Sequence, residues 1–576
     1  MRVTTSKTKN AESFYITRSY INEKGVSTSE VIRKLGTLAS LMEELGTDRD
    51  GVMAWAKEQA AIETRKYKEE REARTVLVPF HADRQMDYDV RKFYAGGYLF
   101  LQSVYYQLRL DKVCLRIKRK YRFKYDLNAI LSDLVYTRVL SPGSKRSSYR
   151  DASCYLEAPG YGLHDVYRAL SVLAKESDFI QSEAYKNSGF VYRRNDHVLY
   201  YDCTNYYFEL EQESGDRRYG KSKEHRPNPI IQMGMFVDGD GIPLAFTLFP
   251  GNQNEQLSLK PLETRILQDF GCTKFIYCSD AGLGSEKNRE FNNVGERAFI
   301  VTQSIRKLNA EDRKWALDRS GFKRLRDGRP VNIDELGEDD LDELFYKDEP
   351  YTPKRIHQRL IVTYSPKFAA YQRSVREAQI ERARSMVEKG KLRKQRRNPN
   401  DPARFVGTIA VTRDGESADI KYYLDEEKIA GEEAYDGLYA VCTDLLDDDV
   451  EGILRVSEGR WQIEACFRTL KTEFEARPVY VSREDRIQAH FLTCFLSLMV
   501  YRLLEKKLGN RYTCGELLKK LKEMNFADIE GHGFMPLYKR DKITDSLHDA
   551  CGFRTDWQFI TREKMRTIQK NSKGRR

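Results

Sequence analysis

The alternation of apolar and polar residues divides the chain into recognisable pieces. Residues 12–36 alternate as "SFYITRSYIN", a turn at "EKG", and "VSTSEVIRKLG", which predicts a small β-hairpin. Residues 52–74 are rich in Ala, Glu and Lys and predict a charged helix acting as a spacer or arm. From 91 to 185 the spacing is helical in three runs, "GGYLFLQSVYYQLRL", "YDLNAILSDLVYTRVL" and "HDVYRALSVLAKES". A basic, Ser-rich stretch, "SPGSKRSSYRDA", reads as the loop between the last two. Short helices joined by basic loops suit a DNA-binding module, and a plain helical bundle fits the pattern equally well.

The period then changes to that of strands. "HVLYYDCTNYYFEL" (197–210) is a strand-like run carrying Asp202, and "PIIQMGMFVDGDGIPLAFTLFPG" (229–251) is two strands around Asp238–Gly241. Hairpin chemistry accounts better for Asp238 and Asp240 than a catalytic role does. Asn252, Asn254 and Glu255 follow the second of these strands and either line a site or belong to the loop. Residues 257–271 return to helical spacing and end at Gly271. "TKFIYCSDAGLGS" (273–285) is a short buried-type strand ending in Asp280. Strand-like runs recur at 297–304, 359–366 and 437–445, with a charged helix over 367–392 and a basic run, "KLRKQRR", at 391–397. Residues 457–475, "SEGRWQIEACFRTLKTEFE", are helical, with Arg460, Glu464 and Lys471 on one face beside an apolar stripe. A lone Glu464–Arg460 ion pair would be the ordinary account of that face. Trp461 is expected in the core, and Trp315 either packs or meets a base. Residues 484–508 form a long helix with an apolar face, and 560–576 a basic, frayed end.

Composition narrows the partners without naming one. The 576 residues carry 98 Lys plus Arg against 87 Asp plus Glu, a net +11, which permits a polyanionic partner. Ten scattered cysteines without C-x-x-C, and eight dispersed histidines, offer neither a disulfide framework nor a zinc site. No signal core opens the chain, and the apolar run 489–504 is too short and interrupted for a membrane span. A cytoplasmic, nucleoid-associated protein with no membrane partner is expected.

The order strand, strand, strand, helix, strand, with Asp202 on the first strand and Asp280 at the end of the fourth, resembles the ribonuclease-H-like fold. That resemblance implies an α/β catalytic domain, a mixed five-stranded sheet with flanking helices, and a third carboxylate on a later helix. Glu464 takes that place. The chain then divides into a hairpin and charged helix (1–90), a helical, DNA-binding region (91–190), a catalytic core in two parts (191–296 and 447–510), a β-rich insertion (297–446) and a C-terminal tail (511–576). Three such carboxylates repel one another, and hard oxygen ligands suit Mg²⁺, or Mn²⁺ in its stead, as two ions.

The stretch 457–471 resembles the third motif of one branch of bacterial insertion-sequence DDE transposases, Tyr-x2-Arg-x3-Glu-x6-Lys. Arg460, Glu464 and Lys471 match it, and Ser457 stands where the family has Tyr. "YYDCTNYYFE" (200–209), "RPNPIIQMGMFVDGDGIPLAFTLFPGNQNE" (226–255) and "RPVYVSREDRIQAHFLTCFLSLMVYRLLE" (477–505) match as well, so the resemblance covers most of 90–510. It implies catalytic metal ligands Asp202, Asp280 and Glu464, with DNA contacts from Arg460 and Lys471. It implies an enzyme that binds double-stranded transposon ends as a homodimer or higher synaptic complex, cuts them, and joins the 3′-hydroxyl to target DNA. A nuclease without strand transfer, and a DNA-binding descendant without chemistry, are the alternatives.

Overall fold

The computed structural model describes all residues except 9–10, 22–26, 73–75, 77, 79, 81, 84, 86–87, 391–399, 412–418 and 575–576. The basic run at 391–397 lies outside the described residues. Two compact units are separable, Met1–Val90 and Arg91–Arg576.

In the first unit the expected hairpin is a three-stranded antiparallel sheet, Arg2–Lys7, Glu12–Ile21 and Ser27–Thr37, with the second strand central. The charged helix forms over Arg49–Glu72. It covers one face of the sheet, burying Phe14 with Leu41, Val52 and Ala56.

The second unit is built on one sheet. Its strands are β1 (Val198–Tyr207), β2 (Ile230–Asp238), β3 (Pro243–Pro250), β4 (Ile276–Ser279), β5 (Ala298–Thr302), β6 (Phe322–Arg324), β7 (Pro330–Val331), β8 (Phe345–Tyr351), β9 (Gln358–Tyr364) and β10 (Leu438–Thr443). Their spatial order is β7-β6-β8-β9-β10-β5-β4-β1-β2-β3. β1, β2 and β3 pair antiparallel, while β4 and β5 continue parallel from β1. Both faces of the central strands are covered, so β2 is buried along its whole length and reads as a near-continuous apolar run.

Ten strands replace the expected five. The run 297–304, grouped in sequence with the insertion, supplies β5 in the middle of the sheet. A short helix, Glu286–Asn292, connects β4 to β5, and such a strand–helix–strand crossover returns the chain parallel to where it left. β6 to β10 then extend the same sheet by antiparallel pairing instead of standing apart from it. An apolar run alone does not say which edge it will join.

Helices α1 (Val450–Glu458), α2 (Trp461–Thr472) and α3 (Glu484–Lys507) pack on one face of the sheet. α3 is the one helix among the described residues long and apolar enough to cross a membrane. It is buried on nearly every side by the helices Tyr98–Gln107, Leu127–Leu140 and Leu163–Lys175, which is why its sequence is apolar all round.

Two basic segments depart from expectation. The stretch read as a loop contains a helix, Lys145–Ala152, capped by the Ser144 hydroxyl, which accepts from the Ser147 N–H at 3.1 Å. The end expected to fray is a helix, Arg562–Ser572, whose Met565 and Ile568 are buried, and Ser572 Oγ accepts from Gln102 Nε2 at 2.9 Å. Spacing of three between Met565 and Ile568 suffices for an apolar stripe despite the four basic residues of this helix.

Lys145 itself is buried, and its ammonium has no hydrogen-bond partner. Burial, reinforced by the nearby Arg138 guanidinium, lowers its pKa to about 7. Between about pH 7 and 10.5 the unfolded chain therefore binds a proton that the folded chain does not. Stability rises with pH across that window and is lowest below it. Lys145→Met is expected to raise the melting temperature at pH 6, with the gain shrinking as pH rises toward 10. Thermal unfolding of both proteins at these two pH values measures it, and a gain that does not change with pH would refute the burial argument.

Candidate active site

β1 and β4 run side by side, Val198 against Ile276 and Tyr200 against Cys278, a constant offset of 78 residues that Asp202 and Asp280 share. The two carboxylates therefore come level on adjacent parallel strands, Asp280 one residue past the end of β4. Alternation along a strand puts them on the face of Tyr200 and Cys278, the face packed by α1, α2 and α3.

Asp202 is partly buried, and its Oδ1 accepts the Cys203 N–H at 2.7 Å. Burial above all, then the Asp280 and Glu255 carboxylates, push its pKa up to about 6 against the pull of Lys223 and the Cys203 N–H. Asp280 is exposed, and its Oδ1 accepts the Leu283 N–H at 3.0 Å in the turn leaving β4.

The helix expected over 457–475 is broken into α1 and α2 by a turn at Gly459 and Arg460. A Cβ at Gly459 would lie 2.0 Å from Tyr200 Oη, so glycine is what lets the chain pass this close to β1. The Tyr200 hydroxyl donates to the Val456 carbonyl at 3.0 Å across the same contact. Ser457 is buried on α1.

Glu464 stands exposed in the first turn of α2 and makes no hydrogen bond or ion pair with any described residue. Arg460, the partner an ordinary surface pair would need, is engaged elsewhere. Its Nη1 donates to Thr302 Oγ1 at 2.6 Å and to the Ser279 carbonyl at 3.4 Å, pinning the start of α2 to the ends of β5 and β4. At the other end of α2, Lys471 lies 3.5 Å from Glu224 and 5.7 Å from the centre of the Tyr206 ring. Burial and Lys223 lower its pKa to about 8, with Asp202 opposing. Glu464 is thus carried between a residue fixed beside Asp280 and one that feels Asp202. The oxygens of Asp202, Asp280 and Glu464 do not all close to within 4.8 Å of one another; among the described residues Asp545, His548 and Asp556 do.

Lys223 was not legible in the sequence. It lies in the polar stretch between β1 and β2, where no periodicity marks it. Its Nζ donates to the Cys203 carbonyl at 2.5 Å and lies 3.2 Å from Glu255. Burial disfavours its charge, but Asp202 and Glu255 outweigh that and raise its pKa. Glu255, left open between site and loop, stands beside Asp202 through this lysine. Glu224 also pairs with Arg477, so one acid holds Lys471 and Arg477.

The remaining candidates fall elsewhere. Asp238 accepts from Arg194 Nε at 2.5 Å and from the Ile242 N–H at 2.8 Å, as the hairpin reading requires. Trp461 is 57% exposed, contrary to the core position expected for it. On a helix whose buried stripe is Ile463, Cys466, Phe467 and Leu470, position 461 falls outside the packed face. Trp315 lies on the helix Ala310–Leu317 with Lys347 Nζ 4.7 Å above its ring.

A family model described as the transposase DDE domain matches residues 202–500. The chain belongs to the DDE transposase family. The matched segment begins at Asp202 and takes in β1 through α3 almost entirely. Such transposases are metal-dependent enzymes of DNA transposition and recombination. Among solved structures, a cryo-EM structure of the piggyBac transposase synaptic complex with hairpin DNA aligns over 81% of this chain and 86% of that chain, at 9% identity and a TM-score of 0.35. No curated protein matches.

Proposed function

We propose that this DDE transposase binds terminal inverted repeats as a homodimer or higher synaptic complex, frees the 3′-ends and joins them to target DNA. We assign it to the bacterial insertion-sequence branch with the Arg-x3-Glu-x6-Lys motif, on a ribonuclease-H-like core formed by β1 to β5. The order β3-β2-β1-β4-β5, with β2 alone antiparallel to its neighbours, supports that core. The observation that carries the reading is the level pairing of Asp202 and Asp280 beneath a helix whose Glu464 has no partner among the described residues.

The donor set fits divalent metal. All three groups are hard carboxylate oxygens, and Asp202, whose pKa is raised first by burial and then by nearby carboxylates, is a group whose charge a cation would offset. Asp202, Asp280 and Glu464 would hold Mg²⁺ or Mn²⁺. When bound, such ions activate a water or 3′-hydroxyl and steady the leaving oxygen of a phosphodiester. The chain's own cations do the rest. Arg460 keeps α2 at the strand ends and has N–H groups beyond Nη1 for a phosphate. Lys471, held by Glu224, presents a point charge at the far end of the same helix.

Lys471→Ala is expected to weaken binding of duplex ends several-fold while leaving the Mg²⁺ concentration for half-maximal cleavage unchanged. A shift confined to that Mg²⁺ concentration would contradict the phosphate role. The functional reading is tested with the DNA flanking the gene, offered as a pre-cut duplex together with a second duplex. Joined product supports the transposase. Cleavage of uncut ends without joining would make it a nuclease, and binding without either a descendant that has lost the chemistry.

A further inference from the structure

The three-stranded sheet of the N-terminal unit sorts its charges by face. On the face covered by the helix Arg49–Glu72, each acid has a basic partner: Glu12 with Arg49 at 2.8 Å, Glu63 with Arg33 at 3.2 Å, and Glu30 with Arg18. The opposite face follows from the register. One row across the strands is Thr4, Tyr15 and Lys34, and the next is Arg2, Thr17 and Val31. The remaining paired positions on this face are Ser6, Ser13, Thr37, Ser19 and Ser29, with the Ile21–Ser27 pair at its end. Among the described residues it carries no Asp or Glu, and no described element of its own unit covers it. Arg2, Val31 and Lys34 are exposed.

We infer that this open sheet face is a DNA-binding surface that lies against duplex DNA, adding a second contact to the one made by the catalytic unit. The inference rests on the DNA-acting reading above. Hydroxyls donate to phosphate oxygens and base edges alike, and the two cations supply the charge that a phosphate backbone attracts. An acid-free face opposite a face rich in paired acids is oriented for a polyanion. Three strands spaced about 4.8 Å apart span about 10 Å. The major groove is about 12 Å wide and takes β-ribbons as well as helices. A second copy of the chain packing here would gain little, because the face is made mostly of hydroxyls and cations.

The test is fluorescence anisotropy of the full chain on a labelled mixed-sequence duplex across a salt series. Arg2→Glu with Lys34→Glu is expected to weaken binding at least about tenfold and to reduce the slope of log K against log salt by about 2, one for each lost phosphate contact. Arg2→Gln with Lys34→Gln, which adds no acid, should reduce the slope equally with a smaller loss. Lys57→Glu with Lys66→Glu makes the same charge change at exposed positions on the covering helix and should leave the slope unchanged. Unchanged binding in both Arg2/Lys34 pairs, or an equal loss in the helix pair, would overturn the inference. So would a change of oligomeric state in sedimentation without DNA, which would make the face an interface between copies. A wild-type chain that binds no duplex would instead overturn the DNA-acting reading on which this one rests.

Discussion

Asp202→Asn is expected to reduce metal-dependent cleavage of element ends by more than about 100-fold, beyond the range seen when only a partner of a metal ligand is lost. The side chain keeps its shape and its bond from the Cys203 N–H but loses the charge that would hold a cation between it and Asp280. Binding of the DNA ends should be little changed. The same variant carries a control for folding. The wild-type carboxyl titrates near 6 in the fold, above its ordinary value of 3.8. Between these values the folded chain keeps a proton that the unfolded chain has lost, so wild-type stability falls as pH rises from about 4 to 6. Asparagine removes that slope. In metal-free buffer at pH 7 the variant should melt higher than the wild type, and at pH 4 the two should converge. Lost activity with a raised melting temperature separates a chemical role from a damaged fold.

Gly459→Ala should damage the site without touching a carboxylate. The new Cβ would meet Tyr200 Oη at 2.0 Å and Cζ at 2.8 Å, and the phenol is held by its bond to the Val456 carbonyl. Overpacking of this kind costs about 1–3 kcal/mol. Relief would come by moving the turn that begins α2, and that turn sets both Arg460 and Glu464. The expected result is a lowered melting temperature together with a loss of cleavage on the order of tenfold or more. Adding Tyr200→Phe removes the nearest atom and should recover part of both. If Gly459→Ala is as stable and active as the wild type, the close approach of β1 to the α1–α2 turn does not position Glu464.

The candidate site was more legible in the sequence than the sheet that holds it. Asp202 stood out because a carboxylate inside "VLYYDC" is costly without a reason, and Asp280 because it ends an apolar strand. Arg460, Glu464 and Lys471 were marked by their shared helical face. Their partners were not, because Thr302, Ser279 and Glu224 reach them only through tertiary packing. Arg460 consequently has a structural hold on β4 and β5 that helical periodicity cannot reveal. The break at Gly459 depends on a tyrosine more than 250 positions earlier. β5 lies in the middle of the sheet although its run stands beside the insertion in sequence, because pairing between strands is non-local, and Trp461 is exposed although its type favours the core, because residue type is only a tendency for burial.

Asp202, Asp280 and Glu464 are proposed to hold metal at one phosphoryl-transfer site. The most direct test is cleavage of end-containing duplex by Asp202→Cys, Asp280→Cys and Glu464→Cys, each in Mg²⁺ and in Mn²⁺. A thiolate is a poor ligand for Mg²⁺ and a better one for the softer Mn²⁺. The variants should not cleave in Mg²⁺ and should partly recover in Mn²⁺, with wild type active in both. Wild-type rates in Mg²⁺ for any one variant would remove that residue from the metal site, and for all three would rule out a metal site formed by these carboxylates.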